Sequence, residues 1–316
     1  MVSGEFGKQS SQDDADSINQ AIKSHPSYEQ VKLDVDRCAG RLEHIRQRID
    51  RAELTDHEIK CQRKFKNKLA RLIIRLLIKK PDLHYYQGFH DVCLTYMTIL
   101  GYKQAFERLD SVIDSHFAQF MRPTMLETQE FLALIPIIIG LHDHKIQDFL
   151  EQAEVGTIFA LSWTITWFSH VIPDEHDVER IFKFLEGFND PHVILYLCAA
   201  IVIYKGEDLI TLEPEMSSVH HYLCLIPRKE KLPIAQLLKT AEASFTKWPP
   251  ELVRKKLDDH RRKKLQVHNY NLVTSLTHRV VPALARFVGI PTPRTAIVVL
   301  VLASALAVNW DKWMRL

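Results

Sequence analysis

FKNKLARLIIRLLIKKPDLHYYQGFHDVCLTYMTILG, residues Phe65 to Gly101, decides the fold. In its first part Phe65, Leu69, Leu72, Ile73, Leu76 and Leu77 recur at i, i+4, i+7, i+8, i+11 and i+12. That is one face of a helix, and lysines and arginines fill much of the opposite face. Pro81 ends it. Near Gly88 a second run opens, in which Phe89, Val92, Cys93, Tyr96, Met97 and Leu100 repeat the same kind of spacing until Gly101 supplies the stop. Tyr85-Tyr86-Gln87-Gly88-Phe89-His90-Asp91 therefore places the Gln87 carboxamide at a mouth between two helices.

Outward from this pair the pattern stays helical. Glu107–Phe120, Gln129–Leu141 and Lys145–Gln152 read as helices, with Pro136 kinking or splitting the middle one. Val155–Ile172 holds no Asp, Glu, Lys or Arg over 18 residues, which by length touches the membrane-spanning range. Its Thr, Ser, Gly and His content favours instead a buried central helix. Trp163 and Trp167 within it read as core. Asn189-Asp190-Pro191 resembles an N-cap followed by Pro at the first helical position, ahead of the core run Val193–Tyr204. No run alternates at period two between hairpin turns, and no period repeats. The expected fold class is all-α.

The chain has 316 residues, 46% apolar, with 41 basic against 39 acidic side chains and a net charge of +2. So even a balance argues against nucleic acid as a partner. Five cysteines at no metal-binding spacing suit reduced, mostly buried thiols. His142-Asp143-His144 and His220-His221 match no zinc pattern, so no metal is expected. Ser217-Ser218 with His221 makes no nucleophile elbow. Met1–Ser27 is polar and has no apolar signal core.

After Pro250 the composition changes. Lys255-Lys256 and Arg261-Arg262-Lys263-Lys264 suit a solvated helix or linker, an import or nucleic-acid signal, or attraction to an anionic leaflet. Thr295–Trp310 is free of charge over 16 residues. As a helix it measures about 24 Å, slightly short of the roughly 27 Å core of the endoplasmic reticulum membrane. Arg294, Lys312, Trp310 and Trp313 can close the gap. The expected organisation is a loose polar stretch over 1–28, a domain over 29–250, a charged juxtamembrane segment over 251–294 and a transmembrane tail anchor over 295–310. Val280–Ile290 is an interfacial segment or part of a shallow hairpin.

Upstream, Val31-x-x-Asp34-x-x-Arg37 puts Asp34 and Arg37 on one helix face, where Asp34 can orient the guanidinium or hold the turn. An ordinary surface contact gives the same spacing. Phosphoryl transfer to water needs a positioned water and stabilisation of negative charge. A guanidinium fork suits the second task. A carboxamide, accepting from water while donating elsewhere, suits the first. Gly88 permits close backbone approach, Tyr85 can bury its ring while its hydroxyl finds a partner, and Asp91 lies at i+4 from Gln87.

Together these residues resemble the TBC-domain family, GTPase-activating proteins for Rab small GTPases. Tyr85–Asp91 matches its YxQGxxD motif. Val31–Arg37 matches IxxDxxR with valine for isoleucine. Leu161-Ser162-Trp163 through Phe168 is similar to a third block, with Ser162 where an arginine is usual. The resemblance, with a C-terminal anchor, is to the family's endoplasmic-reticulum branch. It implies an N-terminally shortened multi-helix domain acting on the GTP form of a Rab. Arg37 would stabilise charge and Gln87 would orient water, with Asp34, Tyr85, Gly88 and Asp91 shaping their loops. It implies no cofactor of the chain's own, since GTP and Mg²⁺ belong to the Rab. On this reading the chain is an activator and not itself an enzyme, acting in traffic from the endoplasmic reticulum; the alternative is a non-catalytic, membrane-anchored Rab-binding adaptor.

Overall fold

Residues 17–38 and 56–275 are described by the computed structural model, and every regular element among them is helical. The chain divides into two units, Met1–Val253 and Arg254–Leu316. The first holds helices α1 (Tyr28–Arg37), α2 (Asp56–Lys79), α3 (Phe89–Val112), α4 (Leu126–Leu132), α5 (Leu134–His142) and α6 (His144–Gln152). It continues with α7 (Leu161–Ile165), α8 (Glu175–Glu186), α9 (Val193–Tyr204), α10 (Met216–Lys229) and α11 (Ile234–Lys247). Of the second unit, the described part belongs to α12 (Pro250–Ser275). No single helix among the described residues is long and apolar enough to cross a membrane. The expected anchor over 295–310 and Val280–Ile290 both lie outside the described residues.

The apolar stripe of α2 does what its spacing requires. Leu69, Leu72, Ile73, Leu76 and Leu77 are all buried, and α2 packs against α1 and α3. It begins at Asp56, upstream of the stripe, because a charged stretch with good helix formers continues the same helix outward. Gly101 does break α3, with φ +74° and ψ 169°, but helix resumes at once and reaches Val112. A π-helical turn over Ile113–Phe117 and a 3₁₀ turn over Ala118–Met121 follow. The expected Glu107–Phe120 helix is thus the end of α3 and these two turns. Pro136 sits in the first turn of α5: its ring conflicts with the carbonyl four residues back, that of Leu132, the last residue of α4, and the break between the two helices falls at Ala133.

The uncharged run Val155–Ile172 departs from expectation. It is not a central helix but a 3₁₀ turn, the short α7 and a chain of turns in which Trp167 and Phe168 have positive φ. Its hydroxyls bond back onto the same segment. Thr164 donates to the carbonyls of Ala160 and Leu161, Thr166 to that of Ser162, and Ser169 to that of Thr166. The same back-bonding occurs within unbroken helix at Thr95 and Thr98, so it is at the left-handed Trp167 and Phe168 that the helical path is lost. The central helix is α9, whose residues Val193 to Val202 are all buried. It lies against α5 and α11. Its start differs by two residues from the Asn-Asp-Pro reading: Asp190 accepts from the backbone N–H of His192 at 2.8 Å and holds the turn before the helix.

Residues 17–23, expected to be loose, are helical, with Ile22 buried and Asn19 bonded to Arg71 of α2. The two tryptophans are core, as read: Trp167 meets His116, Phe117 and Phe182. Burial pushes His116 below its ordinary value of 6.5. The unfolded chain therefore binds a proton more readily than the folded one as pH falls. The stability difference is complete above 6.5 and is lost progressively below it, toward the lower folded value. Denaturant midpoints measured at about pH 7.5 and about pH 5.5 should show the protein weaker at the acid end. His116→Gln should flatten that slope.

Candidate functional site

The site begins at the last turn of α1. Val31 and Val35 are buried against the neighbouring helices, which turns Asp34 inward and leaves Arg37 outward. The Asp34 side chain is 1% exposed and that of Arg37 69%, with Nη1 of Arg37 3.6 Å from Oδ1 of Asp34. A carboxylate this deep must be well partnered. Gln30 donates to Oδ1 at 3.1 Å and the Tyr85 hydroxyl to Oδ2 at 3.0 Å. From α2, Lys66 donates to the Asp36 carbonyl at 3.0 Å. The helix end that carries Arg37 is thus clamped from two sides. A cation there also suits the helix dipole.

The connection between α2 and α3 is equally pinned. The His84 N–H donates to the Met121 carbonyl at 2.8 Å, and the Tyr86 hydroxyl to that of Ile165 at 2.6 Å. The Tyr86 ring packs against Phe89 and Phe120. Between these fixed points Gln87 is exposed. Gly88 caps α3 with φ +114°, and a Cβ added there would sit 3.1 Å from Cγ2 of Thr166. Gly88→Ala should cost about 1–3 kcal/mol through backbone strain. That is a fall of several degrees in a thermal melt, at roughly 2–4 °C per kcal/mol for a domain of this size. The Gln87 turn would shift with it.

The first turn of α3 adds His90 and Asp91. Burial first, and then the Asp34 carboxylate, push the Tyr85 phenol well above its ordinary value, so it remains a donor. Nδ1 of His90 lies 3.1 Å from the same hydroxyl, and Nδ1 of His170 lies 2.8 Å from Oδ2 of Asp91. Tyr85→Phe would leave the buried Asp34 one donor short, a loss of about 1–3 kcal/mol that a denaturant titration would read.

These pieces enclose a cleft of about 430 Å³. Its walls are Asp34, Arg37 and Cys38 from the end of α1, and Gln87, Gly88, His90 and Asp91 from the start of α3. The third wall is Leu161, Ser162, Ile165, Thr166 and His170 from α7 and the turns after it. Of the six residues singled out in the sequence, five line this cleft; Tyr85 stands behind it, bonded to Asp34. Cys38, His90 and His170 were not assigned to a site. Cys38 follows Arg37 and His90 sits inside YYQGFHD, so adjacency to the motifs was their one available signal.

A model of the Rab-GTPase-TBC domain matches residues 4–210. The chain belongs to that family. Among curated relatives of this Rab-GTPase-TBC chain, "TBC1 domain family member 20" of Bos taurus is 36% identical over 228 residues, 72% of this chain and 53% of the relative. The Mus musculus protein of the same name is 38% identical over 187 residues, 59% of this chain and 46% of the relative. "GTPase-activating protein gyp10" of Schizosaccharomyces pombe is 31% identical over 190 residues, 59% and 50% of the two chains. The chain thus spans about half the length of the curated relatives it matches. A solved structure, the Chlamydomonas flagellar RabGAP TBC domain, superposes with a TM-score of 0.52 at 12% identity, covering 72% of this chain and 70% of the other. At that identity it shows the fold, an all-helical TBC domain.

One expectation is corrected by these names. The resemblance implies no enzyme, only an activator of one. A relative named a GTPase-activating protein is named for accelerating a reaction, so that distinction does not stand.

Proposed function

We propose that this chain accelerates GTP hydrolysis by a Rab-family GTPase in its GTP form, through Arg37 and Gln87 supplied in trans. The observation that carries the reading is that both side chains are exposed on the rim of one cleft, on helix ends held by buried partners. Preorganisation of this kind is what positioning contributes to catalysis. Arg37 stabilises charge on the transferring phosphoryl group. Gln87 accepts from the attacking water and holds it in line. Asp34, Tyr85 and Gly88 set the geometry, and Asp91 anchors the start of α3. GTP and Mg²⁺ come with the partner.

The proposal extends to a membrane. The uncharged segment over 295–310 and the basic run before it support a membrane anchor with the domain facing the cytosol. The shortness of that segment and the family resemblance support the endoplasmic reticulum, with a role in traffic from it. A screen of purified, GTP-loaded Rabs for accelerated phosphate release tests the central reading. At least one should respond strongly. Binding to a Rab without acceleration would favour the adaptor instead.

A further inference from the structure

The proposed reaction leaves one corner of the cleft without a chemical role. Sγ of Cys38, a ring nitrogen of His90 and a carboxylate oxygen of Asp91 lie within 4.8 Å of one another, and all three residues border the cleft. They come from two elements, the C-cap of α1 and the first turn of α3. His170, from the turns after α7, already reaches Oδ2 of Asp91 through Nδ1. The Tyr85 hydroxyl donates its proton to Asp34, so its oxygen accepts from Nδ1–H of His90. Nε2 of the same ring lies 3.7 Å from Oδ2 of Asp91. A hydrogen bond to one ring nitrogen is how metal-binding imidazoles are oriented.

We propose that Cys38, His90 and Asp91 form a site for a zinc-class divalent cation, with His170 bracing the Asp91 carboxylate and a water completing the shell, and that its occupancy shuts the cleft. One thiolate, one imidazole and one carboxylate, with a water in the fourth position, make a four-coordinate set of the kind zinc takes. Thiolate and carboxylate together neutralise a dication. Magnesium and calcium prefer all-oxygen shells, so they compete poorly here. Binding releases the Cys38 thiol proton to solvent and involves no redox step. The ion would tie the residue after Arg37 to the residues just past Gln87. The inhibitory consequence, though not the binding, rests on the proposed function.

The full chain, purified in mild detergent and stripped with a chelator, is titrated with Co²⁺. One equivalent should bind, with a thiolate-to-cobalt charge-transfer band that Zn²⁺ then erases. Cys38→Ser should abolish the band, and His170→Gln should weaken binding about tenfold or more. Cys224→Ser should leave it intact, which guards against the Cys224–His220 contact of α10 as the source. No band in the unsubstituted chain, or a band that survives Cys38→Ser, overturns the site whatever the folding of the variants. In Rab-stimulated hydrolysis with excess Mg²⁺, Zn²⁺ should slow the rate and a chelator should restore it. Acceleration unaffected by bound zinc overturns the shutting of the cleft. A metal-free chain that accelerates no Rab counts against the proposed function, while the cobalt titration still decides the site.

Discussion

Arg37→Ala is expected to lower Rab-stimulated GTP hydrolysis by about 10³–10⁵-fold, the range for an arginine supplied to a GTPase. Binding to the GTP-loaded partner should persist. The side chain is 69% exposed, so its truncation opens no cavity and the fold should survive. The loss should fall on the rate at saturating activator, because the guanidinium meets its full complement of charge only as the phosphoryl group transfers. Arg37→Lys keeps the charge and loses the fork, and should recover only a small part. Single-turnover hydrolysis over a range of activator concentration separates rate from affinity. A loss in affinity alone would assign Arg37 to docking.

Gln87→Ala should cost on the order of 10²–10³-fold in the same assay, the scale for removing one preorganised polar group aimed at a transition state. Gln87→Glu keeps the shape and an acceptor but removes the N–H₂ donor and adds a negative charge beside the phosphates. It should be at least as damaging as alanine. Because Arg37 and Gln87 act on one reacting group, the double variant should lose less than the sum of the two singles in free energy. Strict additivity would mean that they act at separate places.

The helices that build two walls of the cleft are legible because their periodicity is strong. The stripe of α2 and the run from Phe89 both face a single core, and Pro81 and Gly88 punctuate between them. The Asp34–Arg37 pair is legible as a spacing, but its burial is not: nothing local says that Asp34 turns inward to Tyr85, 51 residues on. The third wall is hidden for a related reason. Tyr86 and Ile165 meet across 79 residues, and no pattern within either segment encodes that contact. The Val155–Ile172 run misleads because apolar content without charge marks burial and does not distinguish helix from buried turns. The left-handed Trp167 and Phe168 break it into turns, and those turns deliver Thr166 and His170 to the cleft. Cys38 and His90 are placed together only by the meeting of α1 and α3.

The most direct test is binding of the chain to a GDP-loaded Rab with and without aluminium fluoride, which mimics the phosphoryl group in flight. A tight complex should form only with the fluoride, and Arg37→Ala and Gln87→Ala should each abolish it. A complex that forms equally well without fluoride, or that both variants retain, would contradict a catalytic role for the two side chains.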